Sequence, residues 1–330
     1  MDDVVSGELT PADEVDAVRA VVRAIEDRVR TAAMAGPARR DAHPKAHGCV
    51  RAEFRVLDDV PPELRTGVFA TPRPYQAWIR FSNGSEAPQP DSIGDGRGMA
   101  IKLMDVAQSP STTQDFVMIN HNAFFVRTAA DYVDFQASSS PLRFFFPSFN
   151  PFRFRLHELF VARAITTQKV LNPLNIRYWS MTPYLFGAGA CKYSARPAGA
   201  PSPFIAADLP DFLNANLARH LAEKGASFDF MVQRRTQPGK MPVEDPTIAW
   251  DEAAAPFVPV ASITIPPQSF DSPAQRTFCE NLSFTPWHCV DAHRPLGGIN
   301  RMRRVVYEHI SRLRHELNNA TRREPTDFTL

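Results

Sequence analysis

The apolar residues of the chain recur at two different intervals, and each interval predicts one kind of element. In residues 12–34 they recur every three or four positions with charged residues between them, which is typical of an amphipathic helix. The apolar positions of that helix are Val15, Val18, Val22, Ile25 and Val29. In residues 50–57, VRAEFRVL, apolar and charged residues alternate, and the same alternation in QAWIRFS at 76–82 predicts a second strand.

Further segments extend this pattern to the end of the chain. Additional strands are predicted at 98–104, 115–119, 226–235 and 258–265, and additional helices at 128–136, 155–169, 209–223 and 299–319. The 30 prolines divide the chain into short elements, which argues against a long helical bundle. Short strands in succession, joined by turn-rich loops, predict an α+β fold in which an antiparallel sheet closes into a barrel surrounded by helices.

Composition excludes several classes of partner. The chain has 330 residues with 37 basic and 36 acidic side chains, so its formal charge of +1 gives no general attraction for nucleic acid or anionic membranes. No apolar run is long enough for an integral membrane span, and the first residues, MDDVVSGELT, are acidic where a secretory signal is basic. Four scattered cysteines fit a reducing compartment. A soluble, cytoplasmic protein is expected.

Two segments carry cations where a strand or helix would be expected to bury apolar groups. In QAWIRFS the alternation places Trp78, Arg80 and Ser82 on one face. If that face points into the barrel, Arg80 is a buried cation, which costs several kcal/mol unless an anion meets it.

The segment RMRRVVYEHISRLRH at 301–315 raises the same question. On a helix, Arg303, Tyr307 and Arg314 fall within roughly 40° of one another and share a stripe. A solvated basic face with an incidental tyrosine is one interpretation, and an anion bound to this stripe is the other. In RRDAHPKAHG, Arg40 stands three residues before His43, and a surface loop ahead of a strand is the simple explanation for that histidine.

Taken together and in this chain order, five segments resemble the haem catalase family. They are Arg40 with His43, the triplet Arg80-Phe81-Ser82, the GDGRG loop with the following strand MAIKL, the segment TQDFVMINHNAFFVR, and the Arg303-x3-Tyr307-x6-Arg314 helix. The resemblance covers about residues 38 to 320. In size the chain is similar to the minimal catalase-related peroxidases and to the allene oxide synthase of this fold.

The resemblance implies a fold, a domain organisation and a cofactor. It implies a catalase-like barrel with a C-terminal helix that carries the proximal ligand, forming a single haem-binding domain at 38–330 after an N-terminal helix at 1–37. The cofactor implied is haem b, iron protoporphyrin IX. Tyr307 is then the iron ligand, and Arg303, one turn away, keeps its phenol ionised. The residues implied to pair with the haem propionates are Arg40, Arg80 and Arg314.

On the distal side the resemblance implies His43 as the catalytic acid and base, with Ser82 holding its ring. Asn120 is implied as the distal amide, but this assignment needs a local gap, so His121 and Asn122 remain substitutes. Phe124 and Phe125 match the aromatic pair that lines the distal haem face.

Two other departures from the family pattern concern single positions. Ala42 stands before the distal histidine where catalases carry valine and the allene oxide synthase a hydroxyl residue. Glu308 follows Tyr307 where proline is usual.

The function implied is a haem peroxidase or catalase that reduces hydrogen peroxide or an organic hydroperoxide through a ferryl intermediate. A small-molecule reductant would serve as the second substrate, and the chain would act as a monomer or homodimer. One alternative within the fold is a fatty acid hydroperoxide isomerase or lyase of the allene oxide synthase type, acting on a lipid hydroperoxide. From a different class, a non-enzymatic haem-binding protein remains open.

Two further segments have less specific patterns. PWHCVDAHRPLGG at 286–298 contains His288, Cys289 and His293, but their spacing does not fit a familiar zinc site. LRFFFPSFNPFRFRLHELF at 142–160 carries seven phenylalanines. Packing over the barrel is the favoured interpretation of that segment, and contact with a lipid surface is the alternative.

Overall fold

A computed structural model describes residues 7–138, 140–201 and 209–330. Its strands are β1 (Ala46–Val56), β2 (Pro74–Asn83), β3 (Arg97–Leu103), β4 (Gln114–Ile119), β5 (Tyr178–Trp179), β6 (Tyr184–Phe186), β7 (Gly189–Ala198), β8 (Ala226–Arg234) and β9 (Val258–Ile265). Its α-helices are α1 (Glu14–Ala33), α2 (Ala129–Ala137), α3 (Pro141–Phe145), α4 (Leu156–Thr166), α5 (Phe212–Glu223), α6 (Pro273–Asn281) and α7 (Gly298–Leu317).

The strands form one antiparallel sheet that closes on itself. Its order is β5-β4-β3-β2-β1-β9-β8-β7-β6, and a second pairing, between β5 and β7, joins the two ends. Eight strands therefore make a barrel, and β6 extends it as a hairpin partner of β7. The α+β barrel with surrounding helices predicted from the sequence is confirmed.

Side chains alternate between the inside and the outside of this barrel. On β2, Ala77, Ile79 and Phe81 belong to the apolar interior. Trp78, Arg80 and Ser82 therefore point outward. An inward-facing Arg80, the possibility raised by the sequence, is wrong. The guanidinium is buried all the same, with 3% of the residue exposed, because loops and helices cover the outer face at this position.

The six predicted strands all form, whereas β5, β6, β7 and helices α3 and α6 were not predicted. Prolines and glycines in residues 177–197 obscured the alternation that β7 does carry, with Cys191, Tyr193 and Ala195 inside the barrel. The missed helix α6 matters more for the site, because it covers the outer face of β1 and β2. Gln275 on this helix donates a hydrogen bond of 2.7 Å to the carbonyl of Cys49 on β1.

Helix α7 is held against the barrel by helix α1. The two helices share an apolar cluster, to which α1 contributes Val18, Val21, Ile25 and Val29, and α7 contributes Ile299, Met302, Val306, Ile310 and Leu313. The predicted stripe on α1 was nearly right, but Val15 is 56% exposed and Val21 takes part in its place. Burying this face of α7 fixes the direction in which its polar side chains point.

A buried ionic network joins β3 and β4 to the C-terminal segment. The ammonium of Lys102, whose side chain is 0% exposed, lies 2.8 Å from a carboxylate oxygen of Asp115 and 2.7 Å from one of Glu324. His288 Nδ1 is 3.1 Å from the same ammonium. The charge of Lys102 is thus compensated entirely within the protein.

Replacing Lys102 with methionine is expected to lower the free energy of unfolding by about 3–5 kcal/mol, because it leaves the buried Asp115 carboxylate without its counter-charge. Urea denaturation measures the change. Arg196→Gln serves as the control, because its ion pair with Asp229 is exposed and should contribute less than about 1 kcal/mol. Equal losses in the two variants would contradict the importance of the buried network.

Candidate functional site

The loop that precedes β1 places His43 in a backbone conformation that a residue other than glycine rarely adopts. Its φ is +62°, in the left-handed region, which costs on the order of 1 kcal/mol or more. Two hydrogen bonds hold it there. The His43 amide donates to the Gly84 carbonyl at 3.3 Å, and Arg80 Nη2 donates to the His43 carbonyl at 2.8 Å. The end of β2 and the turn after it therefore fix the loop.

The imidazole of His43 is oriented by the hydroxyl of Ser82. His43 Nδ1 lies 3.0 Å from Ser82 Oγ, which leaves Nε2 without this contact. Gly98 on β3 is the register partner of Ser82, and a Cβ added there would lie 2.7 Å from the His43 ring and 2.8 Å from Ser82 Oγ. The last glycine of the GDGRG motif is thus required because the imidazole and the hydroxyl occupy the space of its missing side chain.

His43 is held in its neutral form. Burial, together with the positive charges of Arg80, Arg303 and Arg40, lowers its pKa from 6.5 to about 3. Arg303 stands on α7, so this helix contributes one of the positive charges that act on His43 in the loop before β1. A neutral imidazole is a proton acceptor, which is the state a general base requires.

On helix α7, Arg303 and Tyr307 contact each other as their spacing predicts. Arg303 Nε donates to the Tyr307 hydroxyl at 3.3 Å, and its guanidinium carbon lies 5.1 Å from the centroid of the phenol ring. Asn300 accepts a second hydrogen bond from Arg303 at 3.1 Å. Burial works against the charge of Arg303, but Tyr307 and Tyr184 raise its pKa overall. A permanent cation therefore faces the Tyr307 oxygen.

The three arginines implied as propionate partners form a cluster around one carboxylate of the chain itself. Arg40 Nη1 lies 3.1 Å and Arg314 Nη2 2.5 Å from the two oxygens of Glu280, on α6. Arg80 lies in the same electrostatic environment, and its Nε is buried without a hydrogen-bond partner among the described residues. Burial and the neighbouring Arg40 lower the pKa of Arg314 to about 10. Within this cluster positive charge exceeds negative charge.

Sequence reasoning missed Glu280 because it stands on the helix that was not predicted. It missed Cys279 for the same reason. The carbonyl of Cys279 accepts a hydrogen bond of 3.1 Å from Arg40. A hydrogen bond from Cys49, with Arg80 and Arg40 nearby, lowers the pKa of the Cys279 thiol to about 6 despite its burial, which acts in the opposite direction.

Replacing Glu280 with glutamine is expected to lower the free energy of unfolding by about 2 kcal/mol, because Arg40 and Arg314 lose their shared carboxylate while remaining largely buried. Urea denaturation measures this change in the free energy of unfolding. The control is Glu308→Gln, whose ion pairs are exposed and whose expected loss is below about 1 kcal/mol. An unchanged or increased stability of Glu280→Gln would show that the cluster does not depend on this carboxylate.

The structure places Asn120 differently from the other distal candidates. Its side chain is 0% exposed, with Nδ2 donating to the Ile165 carbonyl at 3.0 Å and Oδ1 accepting from the Arg97 amide at 2.8 Å. Asn120 therefore joins the ends of β3 and β4 to helix α4. Asn122 is partly exposed, and its amide has no hydrogen-bond partner in the described part of the chain. His121 Nδ1 is occupied by a local contact with Ala123, at 3.1 Å.

Phe124 and Phe125 lie together, with ring centroids 4.9 Å apart. Both are partly buried, and Phe124 also packs against the cluster that contains Tyr307 and the α1–α7 contact. This aromatic pair therefore joins the segment after β4 to the helix that carries Tyr307.

The histidines of residues 286–298 serve other contacts. His288 belongs to the Lys102 network, and His293 is buried, with Nε2 accepting from the Val68 amide at 3.1 Å. Within the described ranges no group of three or more histidine, cysteine or acidic residues could hold a metal ion.

Comparison with known proteins identifies the fold. No protein-family model and no curated protein matches the chain. Among solved structures, a fungal catalase matches with a TM-score of 0.68 at 17% identity, over 88% of this chain and 62% of that one. A bacterial catalase matches with a TM-score of 0.66 at 16% identity, over 88% and 59%.

Catalase A from Saccharomyces cerevisiae is a third match, with a TM-score of 0.68 at 18% identity, over 88% of this chain and 66% of that one. The chain thus spans about six-tenths of the length of these catalases. The fold is catalase-like, as the sequence resemblance predicted.

Proposed function

We propose that the protein binds haem b and acts as a hydroperoxidase. The observation that carries this proposal is the convergence of two pairs: the neutral His43 held by Ser82, and the Tyr307 phenol held by Arg303. Arg303 is one of the charges that lower the pKa of His43, after burial and Arg80, and this supports placing the two pairs in one site. A haem enzyme acting on peroxide requires a proton acceptor and an iron ligand, and a phenol such as that of Tyr307 would supply the second.

The residues around this site fit a haem with two carboxylates. The cluster of Arg40, Arg80 and Arg314 meets only one carboxylate in the chain, Glu280, and Arg80 Nε is buried without a partner among the described residues. Propionate groups would complete that cluster, because guanidinium groups bind carboxylates strongly. Tyr307 would ligate the iron, which supplies, when bound, the centre at which the O–O bond of the peroxide is cleaved.

Each side chain then has a role that follows from its contacts. His43, neutral at physiological pH, accepts the proton of the incoming hydroperoxide at Nε2 and returns it to the departing oxygen. Ser82 fixes the ring through Nδ1. Arg303 holds the Tyr307 phenol in place by donating to its oxygen. Phe124, which packs against the same cluster as Tyr307, and its neighbour Phe125 would help to exclude water from the haem.

A distal amide would orient the second oxygen of the substrate. Asn120 remains the candidate of the family pattern, although its amide is already engaged at both ends. The side-chain amide of Asn122 has no hydrogen bond within the described ranges, so of the two it is the amide with capacity for a new one. We therefore assign the amide role to Asn122 and a structural role to Asn120.

The test is the absorption spectrum of the full chain during titration with haemin. Binding should give a Soret band and the charge-transfer features of high-spin ferric haem with a tyrosinate ligand. A protein that takes up no haemin would contradict the proposal.

Turnover assays on the loaded protein then define the reaction. Peroxide consumption that requires an organic reductant identifies a peroxidase, and oxygen release identifies a catalase. A rearranged lipid hydroperoxide formed without a reductant would replace our proposal with the isomerase. A loaded protein without any turnover would point to a haem carrier.

A further inference from the structure

The phenylalanine-rich segment at 142–160 does not pack over the barrel throughout its length. Some of its aromatic residues are buried, but five large apolar residues of the segment are exposed, and we call them together the aromatic surface. Their exposed fractions are 56% for Leu142, 69% for Phe149, 96% for Phe152, 46% for Leu156 and 67% for Phe160. Single exposed apolar residues are ordinary, whereas five within nineteen positions are not.

The aromatic surface stands on an ordered base. Phe144 and Phe145 are buried, and the rings of Phe146 and Phe154 meet edge to face with centroids 4.9 Å apart. The Arg155 amide donates to the Phe145 carbonyl at 2.9 Å, which joins α3 to the start of α4. The buried phenylalanines also pack with Phe124 and Phe125 of the candidate site. The exposed rings are therefore held outward by a fixed scaffold.

Among the described residues, the unpaired charges in this segment and just after it are positive. Arg143, Arg153 and Arg163 are exposed, and none of them has an ion-pair partner in the described ranges. The neighbouring carboxylates are already engaged by other cations: Glu158 pairs with Arg127, and Asp131 and Asp134 pair with Arg155. The aromatic surface is accordingly combined with three free guanidinium groups, although the whole chain has a formal charge of only +1.

We propose that the aromatic surface binds the headgroup region of an anionic lipid bilayer. Exposed phenylalanines enter the interface between headgroups and acyl chains, and arginines beside them pair with lipid phosphates. Charge complementarity selects a lipid surface over a second copy of this chain, because a symmetric contact would bring the three free arginines of each copy together. No helix in the described ranges is long and apolar enough to cross a bilayer, so the protein would lie on the membrane through this segment.

Vesicle sedimentation with the full-length protein tests this proposal, and it requires neither haem nor turnover. The vesicles contain phosphatidylcholine alone or phosphatidylcholine with about one-third phosphatidylglycerol. We expect binding to the anionic vesicles that decreases as salt is added. The double variant Phe149→Ser with Phe152→Ser should bind at least about tenfold more weakly, because it removes the side chains that enter the interface.

The double variant Arg143→Gln with Arg153→Gln should weaken binding to anionic vesicles about fivefold or more for each arginine removed. The weak binding to neutral vesicles should stay unchanged. Matched controls are Met34→Ser, an exposed apolar residue on α1 with 82% exposure, and Arg23→Gln, an exposed arginine of the same helix. Neither control should change binding. Because the substituted side chains are exposed, circular dichroism should show that all four variants stay folded.

Two results would overturn the proposal. One is a protein that stays in the supernatant with anionic vesicles at low salt. The other is a stable dimer in analytical ultracentrifugation that dissociates when Phe149 and Phe152 are replaced, which would assign the aromatic surface to a contact between two copies of the chain.

Discussion

Replacing Tyr307 with phenylalanine is expected to reduce peroxide turnover by about a hundredfold or more and to remove the tyrosinate features from the absorption spectrum. The substitution deletes one oxygen and keeps the ring, so packing against α1 should survive. The measurement is haemin titration followed by steady-state turnover. Because haem would still be held by contacts with the arginine cluster and the aromatic pair, the spectrum should shift to that of a haem with a different or missing axial ligand.

Tyr132→Phe is the matched control for this prediction. Tyr132 packs in the same apolar cluster as Tyr307, but among the described residues its phenol has no contact with Arg303. Its spectrum and turnover should equal those of the unmodified protein. If Tyr307→Phe kept the tyrosinate features, another phenol would have to be the ligand. Tyr184, which also lies beside Arg303, would then be the first to test.

Replacing His43 with alanine is expected to lower kcat/KM for peroxide by about 10²- to 10⁴-fold, because the proton acceptor is lost while the iron ligand remains. The spectrum of the ferric haem should change little, which separates this variant from Tyr307→Phe. Ser82→Ala should have a smaller effect of about tenfold, since it removes only the group that orients the ring. His220→Ala, at the end of α5, is the control and should be inert. Full turnover by His43→Ala would contradict the proposed acid–base role.

The pH dependence follows from the direction of the His43 shift. Because its pKa is lowered from 6.5 to about 3, the base form persists in mild acid, so kcat/KM should stay level as the pH falls to about 4. A histidine with its ordinary pKa would already lose activity near pH 6. The unfolded chain, in contrast, protonates this histidine below 6.5. Stability contributed by His43 is therefore lost as the pH falls from 6.5 towards 3.

The sequence predicted those parts of the site that depend on local spacing. Arg303 and Tyr307 are four residues apart on a helix, and Arg80 and Ser82 are two apart on a strand, so periodicity alone places each pair on one face. It could not show which way the strand faces. Trp78, Arg80 and Ser82 point outward because the interior positions are filled by Ala77, Ile79 and Phe81. Their burial depends on helix α6, a nine-residue helix about 190 positions further along the chain, and no local pattern shows that it packs on β2.

Other parts of the site depend on contacts between distant segments. Glu280 meets Arg40 across 240 positions, and no pattern in either segment signals the pair. The left-handed backbone at His43 is likewise imposed by the turn after β2 rather than by its own sequence. For Asn120 the family pattern supplied a role, but the amide is used to join secondary-structure elements.

Strand β2 supplies both groups that hold His43: the guanidinium of Arg80 fixes its backbone and the hydroxyl of Ser82 fixes its ring. A shift of this strand by one residue would turn both side chains to the other face of the sheet at the same time. Alignment of the His43 side chain is thus a by-product of barrel closure. During refolding, activity should return together with the last strand pairing and not before it. Partly folded molecules should therefore show no turnover.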